Sequence, residues 1–366
     1  ANGKGQFRYA PPSGFLALCE DNLPTPAIAD PGDYFKTVLY RGDGTTGHSI
    51  TGVGFQPDLV WIKERTSTSS HQWHDSVRGA GNLLMSNSTN GESYSATYLY
   101  SLDSDGFTLG TSGGVNASGD DYVAWCWKAG AGTTSSNTDG SINSVVSVNQ
   151  DAGFSIVSYT GNGSSGTVGH GLTVTPNIVL VKNRTDDNTN WSFNGNIGGL
   201  DYGTNKMVLQ DTGGIVSDTN EVTSINATTF TIGNSGATNG SSDEQIAYCW
   251  TEIEGFSKFG SYVGDGDTDG AFVYCGFKPA WVMIKQTNDA NNWHIEDSSR
   301  KSTNPVNMVL RANLSNAEFA NHTSFEIDFL SNGFKLRSTN DELNENTSSY
   351  IFMAFAESPF QTANAK

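Results

Sequence analysis

The stretch PDLVWIK at Pro57–Lys63 returns as PNIVLVK at Pro176–Lys182 and as PAWVMIK at Pro279–Lys285. Each is a short apolar run, rich in β-branched and aromatic residues, between a proline and a lysine, which reads as a strand. In the first copy Val60 and Ile62 point to one face, while Leu59 and Trp61 point to the other. A strand apolar on both faces is expected to be central and covered on each side.

Working outward, a second motif repeats in step with the first. YRGDG at Tyr40–Gly44 returns as YTGNG at Tyr159–Gly163 and YVGDG at Tyr262–Gly266. Both motifs are offset by 119 residues between the first and second copies, and by 103 between the second and third. Later landmarks keep the order: a tryptophan (Trp73, Trp191, Trp293), a DGFTLG-like strand carrying Phe107, Phe230 or Phe334, and a closing strand. The closing strands are Tyr122–Trp127, Ile246–Trp250 and Tyr350–Phe355. Internal repetition at fixed offsets is the signature of a repeated structural unit. The expected fold is all-β, with three tandem homologous β-sandwich or jelly-roll-like units at 34–130, 154–255 and 256–366, the third repeat itself closing near residue 360. Residues 1–33 read as an N-terminal linker and 131–153 as a connecting segment that adds a strand. Whether the three units stand apart or pack as one pseudo-symmetric body is open at this level.

Composition agrees with the strand reading. Of 366 residues 42 are glycine, 11% are aromatic, and only 16% are charged, against about 25% in ordinary globular chains. Lysine and arginine number 20 against 38 acidic residues, a net charge of −18. Phosphate recognition needs clustered basic residues, so nucleic-acid binding is excluded. An anionic membrane surface would repel the chain, and no apolar run approaches the ~18 residues of a spanning helix, so no membrane insertion is expected. Cys19, Cys126, Cys249 and Cys275 are scattered, without a C-x-x-C pair. Cys126 and Cys249 fall at matching places in two copies and read as small core residues.

Several residue patterns invite a chemical reading. The loop GDGDTDG at Gly264–Gly270 places Asp265, Asp267 and Asp269 at the alternate spacing by which carboxylates converge on calcium. Position twelve of such a loop would be Gly276 and not Glu, and an Asp/Gly hairpin accounts for the same residues. His71 and His74, in HQWHDS, lack the HExxH spacing and fall on opposite faces of a strand. The Asp75–Arg78 and Asp297–Arg300 pairs read as braces for a turn beside a buried tryptophan. His48 and His170 each follow glycine and read as hairpin hydrogen-bonders at equivalent places in two copies. Arg41-Gly42-Asp43 lies in the repeated hairpin, whose turn chemistry explains its glycine and aspartate. No phosphate loop, nucleophile elbow or dinucleotide fingerprint is present. These readings point to no catalytic residue and no cofactor other than the calcium candidate.

The stretches Tyr40–Gly44, Pro57–Lys63, Asp75–Gly79, Ser101–Gly110 and Tyr122–Gly130 resemble a domain found, often in tandem, in virion proteins of tailed phages, particularly marine ones. Phe7–Ile28 resembles the end of a SPRY-like domain that precedes such repeats, which implies that the protein continues upstream of Ala1. The third copy departs from the pattern: its closing strand lacks Trp-Cys-Trp, and its Asp297–Arg300 reads DSSR. The resemblance implies a non-enzymatic virion structural protein, a tail-fibre or head-appendage component at the particle surface. Its partners would be other virion proteins, further copies of itself as a homo-oligomer, and a host-surface glycan. Two other functions compete with it. A carbohydrate-binding module would show a shelf of exposed aromatics, and a glycan depolymerase would need paired carboxylates about 5–9.5 Å apart in a cleft.

Overall fold

The computed structural model describes Tyr9, Pro12 and residues 26–359. Cys19 and most of the Phe7–Ile28 stretch lie outside the described residues. The chain is all-β, built almost wholly of antiparallel strands.

In the first unit the opening strand Phe35–Arg41, the closing strand Asp121–Trp127, the Pro-led strand Leu59–Glu64 and Gln72–Asp75 form one sheet in that order. A second sheet orders His48–Thr51, Gly106–Leu109 and Leu99–Asp103. The same two orders recur twice. Phe154–Thr160, Glu244–Trp250, Ile178–Asn183 and Ser192–Gly195 run together in the second unit, as do Ser257–Val263, Ser349–Pro359, Phe277–Gln286 and His294–Asp297 in the third. Their smaller sheets order Gly166–Gly169, Thr229–Ile232, Val222–Ile225 and Phe272–Tyr274, Gly333–Leu336, Ile327–Leu330. The stretch expected to connect the first two units adds two strands, Ser135–Asn137 and Ser144–Asn149, to the edge of the second unit's large sheet.

The Pro-led strands are central and fully buried in the first two units, as their two-faced apolar pattern requires. One face supplies the sandwich core. In the first unit Val60, Ile62, Ala124 and Cys126 pack against Ile50, Phe107 and Leu109 of the smaller sheet, and each of the other units has its own such core. The other face belongs to all three units at once. Trp61, Trp125 and Trp127 of the first, Leu180, Tyr248 and Trp250 of the second, and Trp281, Met283 and Phe355 of the third form one continuous cluster. The indoles of Trp61 and Trp125 lie 6.3 and 6.2 Å from Trp281, and Trp73 lies 5.2 Å from Trp191. The three units therefore pack as one body around a shared aromatic centre, which answers the question the sequence left open.

The repeated hairpin is fixed by the same bonds each time. The hydroxyls of Tyr40, Tyr159 and Tyr262 donate to the carbonyls of Val115, Thr238 and Leu343. Asn116, Asn239 and Asn344 each accept from the backbone N–H of the hairpin's Asp43, Asn162 or Asp265 and donate back to its carbonyls. The first glycine of the motif is required by close approach, since a Cβ on Gly42 would lie 2.1 Å from the Ala117 carbonyl oxygen. The second, Gly44, sits at φ +73°.

Two alignments expected from sequence are corrected by strand register. Trp61 faces Trp73, Leu180 faces Phe193 and Met283 faces Ile295, so Trp73 matches Phe193 and Ile295. Trp191 and Trp293 stand instead where His71 does. Similarly, His48 pairs with Leu109 while Val168 pairs with Phe230, which places His170 at the opposite end of its strand from His48. Spacing by eye misplaced both because the loops around these strands differ in length between units.

Candidate functional site

The junctions between units hold a repeated set of buried ionisable groups. Arg78 is gripped by Asp75, donates to the Trp73 carbonyl, and reaches Glu92 at 3.0 Å. Glu92 in turn accepts two bonds from Arg184 of the second unit, at 3.0 and 2.8 Å. The first and third units repeat the device: Asp297 holds Arg300, Arg300 reaches Glu318 at 2.9 Å, and Glu318 accepts two bonds from Arg65. The Asp–Arg braces expected from sequence are thus present, but they also carry the contact with the neighbouring unit. The Tyr248 hydroxyl donates to Asp75 from the second unit, and the Trp125 indole donates to Asp297 from the first. At the remaining junction Gly195 occupies the place of Asp75 and Thr287 that of Arg184, with the Ile215 N–H bonded to the Thr287 carbonyl at 2.7 Å. The contacts run head to tail and close on themselves, a heterologous interface completing a ring.

Sequence reasoning missed a further set at these junctions. Lys63, Lys182 and Lys285, the last residues of the repeated motif, are buried. Lys182 donates to the carbonyls of Thr189 and, across the junction, Thr89, each at 3.0 Å. Lys285 does the same with Gln286 and Thr212. Burial, partly opposed by nearby acidic groups, brings each ammonium down to about 8. The signal was present in the threefold recurrence of the lysine, but a terminal lysine reads from sequence as the point where a strand meets solvent.

The histidines are structural in their surroundings. His71 accepts the Trp61 indole N–H at 2.8 Å, and its ring lies against the Arg311 backbone and the Trp125 ring. His74 bonds the Ala80 carbonyl and the Gln72 side chain on the opposite face. Burial, reinforced by a nearby cation, holds both well below the ordinary imidazole range. His48 bonds Asn116 in the hairpin, and His170 bonds the Asn226 carbonyl.

One ionisable cluster belongs to the third unit alone. His294 bonds Glu296 at 2.8 Å and lies 3.5 Å from Glu342, which also holds Arg311 at 2.8 Å. Burial raises the Glu296 carboxyl; it acts to lower His294, but the bonds to Glu296 and Glu342 outweigh it. Strand register places His294 and Glu296 where Gln72–His74 and Ser192–Asn194 stand in the other units, and those pairs are also joined through their side chains. All three pairs are buried between the sheets. In each pair the two side chains bond each other inside the sandwich.

The calcium candidate resolves into separate partnerships. Asp265 accepts from Asn344 and from the Asp267 N–H, at 2.9 and 3.0 Å. Asp267 accepts the Asp269 N–H, while Asp269 pairs with Arg337 and Lys335 at 2.5 and 3.3 Å. The Asp265 turn repeats Asp43 accepting from Thr45 and Asn162 accepting from Ser164. Among the described residues no group of three His, Cys, Asp or Glu is gathered so as to hold a metal ion. The alternate spacing arises from consecutive side-chain-to-backbone turns. Arg41 and Asp43 are likewise used locally, by Asp121 and Asn116.

The third unit presents exposed aromatics, as the first does at Tyr94 and Tyr100. Phe272 and Tyr274 are 45% and 61% exposed on the outer face of the small sheet, either side of the buried Val273. Gly333 lies opposite Tyr274, and the Phe272 ring closes over it, which leaves a flat apolar shelf. Lys335 and Asp328 continue the row across the sheet. The matching positions in the first unit are Ser49 and Thr51.

Fold and contacts define an all-β protein of three two-sheet units closed into a ring around one aromatic core. Residues 30–359 match the family described as Domain of unknown function (DUF7483), and the chain belongs to that family. No curated protein and no solved structure matches it.

Proposed function

We propose that the chain is a non-enzymatic structural component of a phage virion surface, a fibre or head-appendage module. The observation that carries this reading is the ring itself. Buried Asp75, Arg78, Asp297 and Arg300 are engaged in joining units, an arrangement suited to a rigid displayed body. The sequence resemblance of Tyr40–Gly44, Pro57–Lys63 and Tyr122–Gly130 to tandem virion repeats supports the same conclusion. Three linked units also multiply the surface presented per chain, which suits attachment by valency. Antibody against this chain should decorate the tail or capsid exterior of intact particles. Labelling confined to the infected cell's interior would sink the reading.

A second reading, glycan binding, is favoured by the Phe272–Tyr274 shelf, because exposed rings with adjacent polar groups stack on sugar faces. The two readings are compatible in one molecule. Binding of purified chain to host envelope glycans, lost in Tyr274→Ala, would establish it, whereas equal binding by that variant would remove the shelf from consideration. Release of reducing sugar by the chain would contradict the non-enzymatic reading.

A further inference from the structure

A crevice of about 260 Å³ opens at the junction of the first and third units, between Phe35–Thr37 and the wall formed by Ala280, Ser298, Ser299 and Ser302. We propose that this crevice receives an extended strand of a partner polypeptide, added antiparallel to the opening strand Phe35–Arg41. The argument rests on what fills the matching place at the other two junctions.

Strand register makes Phe35, Phe154 and Ser257 equivalent, and with them Thr37, Ile156 and Phe259. On the wall, Ala280 stands where Asp58 does, and Ser298 where Ser76 does, joined by the same bond: Ser76 N–H to the Asp58 carbonyl, Ser298 N–H to that of Ala280. At the first-to-second junction the slot is filled by Ser144–Asn149, which lies along Phe154–Thr160 in full register. Its Ser147 hydroxyl donates to Asp58 and accepts the Gly130 N–H at 2.9 Å, so the strand is clamped to both units. At the second-to-third junction a side chain does the work, Glu252 accepting the Phe259 N–H at 2.9 Å and bonding Lys258.

The first unit has no such cover among the described residues. The Lys128 N–H bonds the Tyr34 carbonyl, so the alternation of an antiparallel ladder turns the N–H and C=O groups of Thr37 and Leu39 away from the closing strand. In the second unit these are the groups of Ile156 and Ser158 that pair with Ser147 and Val145. An open edge with unpaired backbone groups is a template for strand addition. Leu39 stands 40% exposed beside it. Because Ala280 replaces Asp58, the inward residue of the incoming strand needs no hydroxyl. A β-branched residue fits there, with the serines of the wall meeting its backbone.

The inference goes beyond the virion reading and does not depend on it. The test uses the full chain and a synthetic peptide copying residues 141–150 with Ser147→Val. Peptide should slow amide exchange at Thr37 and Leu39 by at least about tenfold. Ser302→Trp, which fills the crevice from the third unit, should abolish the effect at both amides, and Thr37→Pro, which removes one outward N–H, should abolish it at Leu39. Unchanged exchange at millimolar peptide would overturn the proposal. So would amides already protected in the chain alone, which would assign the crevice to a segment of the same molecule.

Discussion

Lys63, Lys182 and Lys285 carry their charge into the ring, and each gives up its proton more readily folded than unfolded. Between about 8 and the ordinary 10.5 the unfolded chain holds a proton that the folded chain has released. Stability should therefore rise with pH through that window. The buried tyrosines Tyr40, Tyr159 and Tyr262 and the buried thiols of Cys126, Cys249 and Cys275, all raised by burial, act in the opposite sense as pH rises further, the thiols first, so the start of the window is the part to measure. Urea midpoints should climb from pH 8 to pH 9, and Lys182→Met should lower the slope there. A flat profile in the unmodified chain would show that these ammonium groups stay protonated. At this scale the sequence was legible where local chemistry decides. The Asp/Gly hairpins and the Asp75–Arg78 and Asp297–Arg300 braces follow from residues a few positions apart. Glu92, Glu318 and the role of Tyr248 were not legible, because their partners lie in another unit.

The Pro-led strand is the element on which each unit turns. One of its faces closes a sandwich and the other enters the common core, so neither can be trimmed without a cavity. Ile62 is fully buried against Phe107 and its neighbours. Ile62→Ala should lower stability by about 2–5 kcal/mol, as large-to-small core changes do. A denaturant midpoint that does not move would place this strand at an edge. Its central position could be read from Val60, Ile62, Leu59 and Trp61 alone, since a strand apolar on both faces has nowhere else to lie. The shorter Trp-bearing strands could not be aligned that way. Trp73, Trp191 and Trp293 look equivalent in order, yet two of them occupy the place of His71, because loop insertions shift spacing without shifting register. A strand within 131–153 was expected, and Val145, Val146 and Val148 mark it, but its place at the edge of the second unit's sheet was not legible, because the open edge that recruits it is set by the fold.

At the scale of the molecule the account rests on the shared centre. Trp61, Trp125, Trp250, Trp281 and Phe355 are buried only because three units meet. An isolated first unit would expose Trp61, Trp73, Trp125 and Trp127 on one face, an apolar patch far larger than soluble domains tolerate. The repeat offsets announced three units, but the outward face of each closing strand gave no sign of what would cover it. Cooperative unfolding follows from the ring: loss of one unit strips the core of the other two. Differential scanning calorimetry of the full chain measures this most directly. The account predicts a single transition whose calorimetric and van't Hoff enthalpies agree. Two or three separable transitions, or a stable fold for residues 34–130 alone, would contradict it.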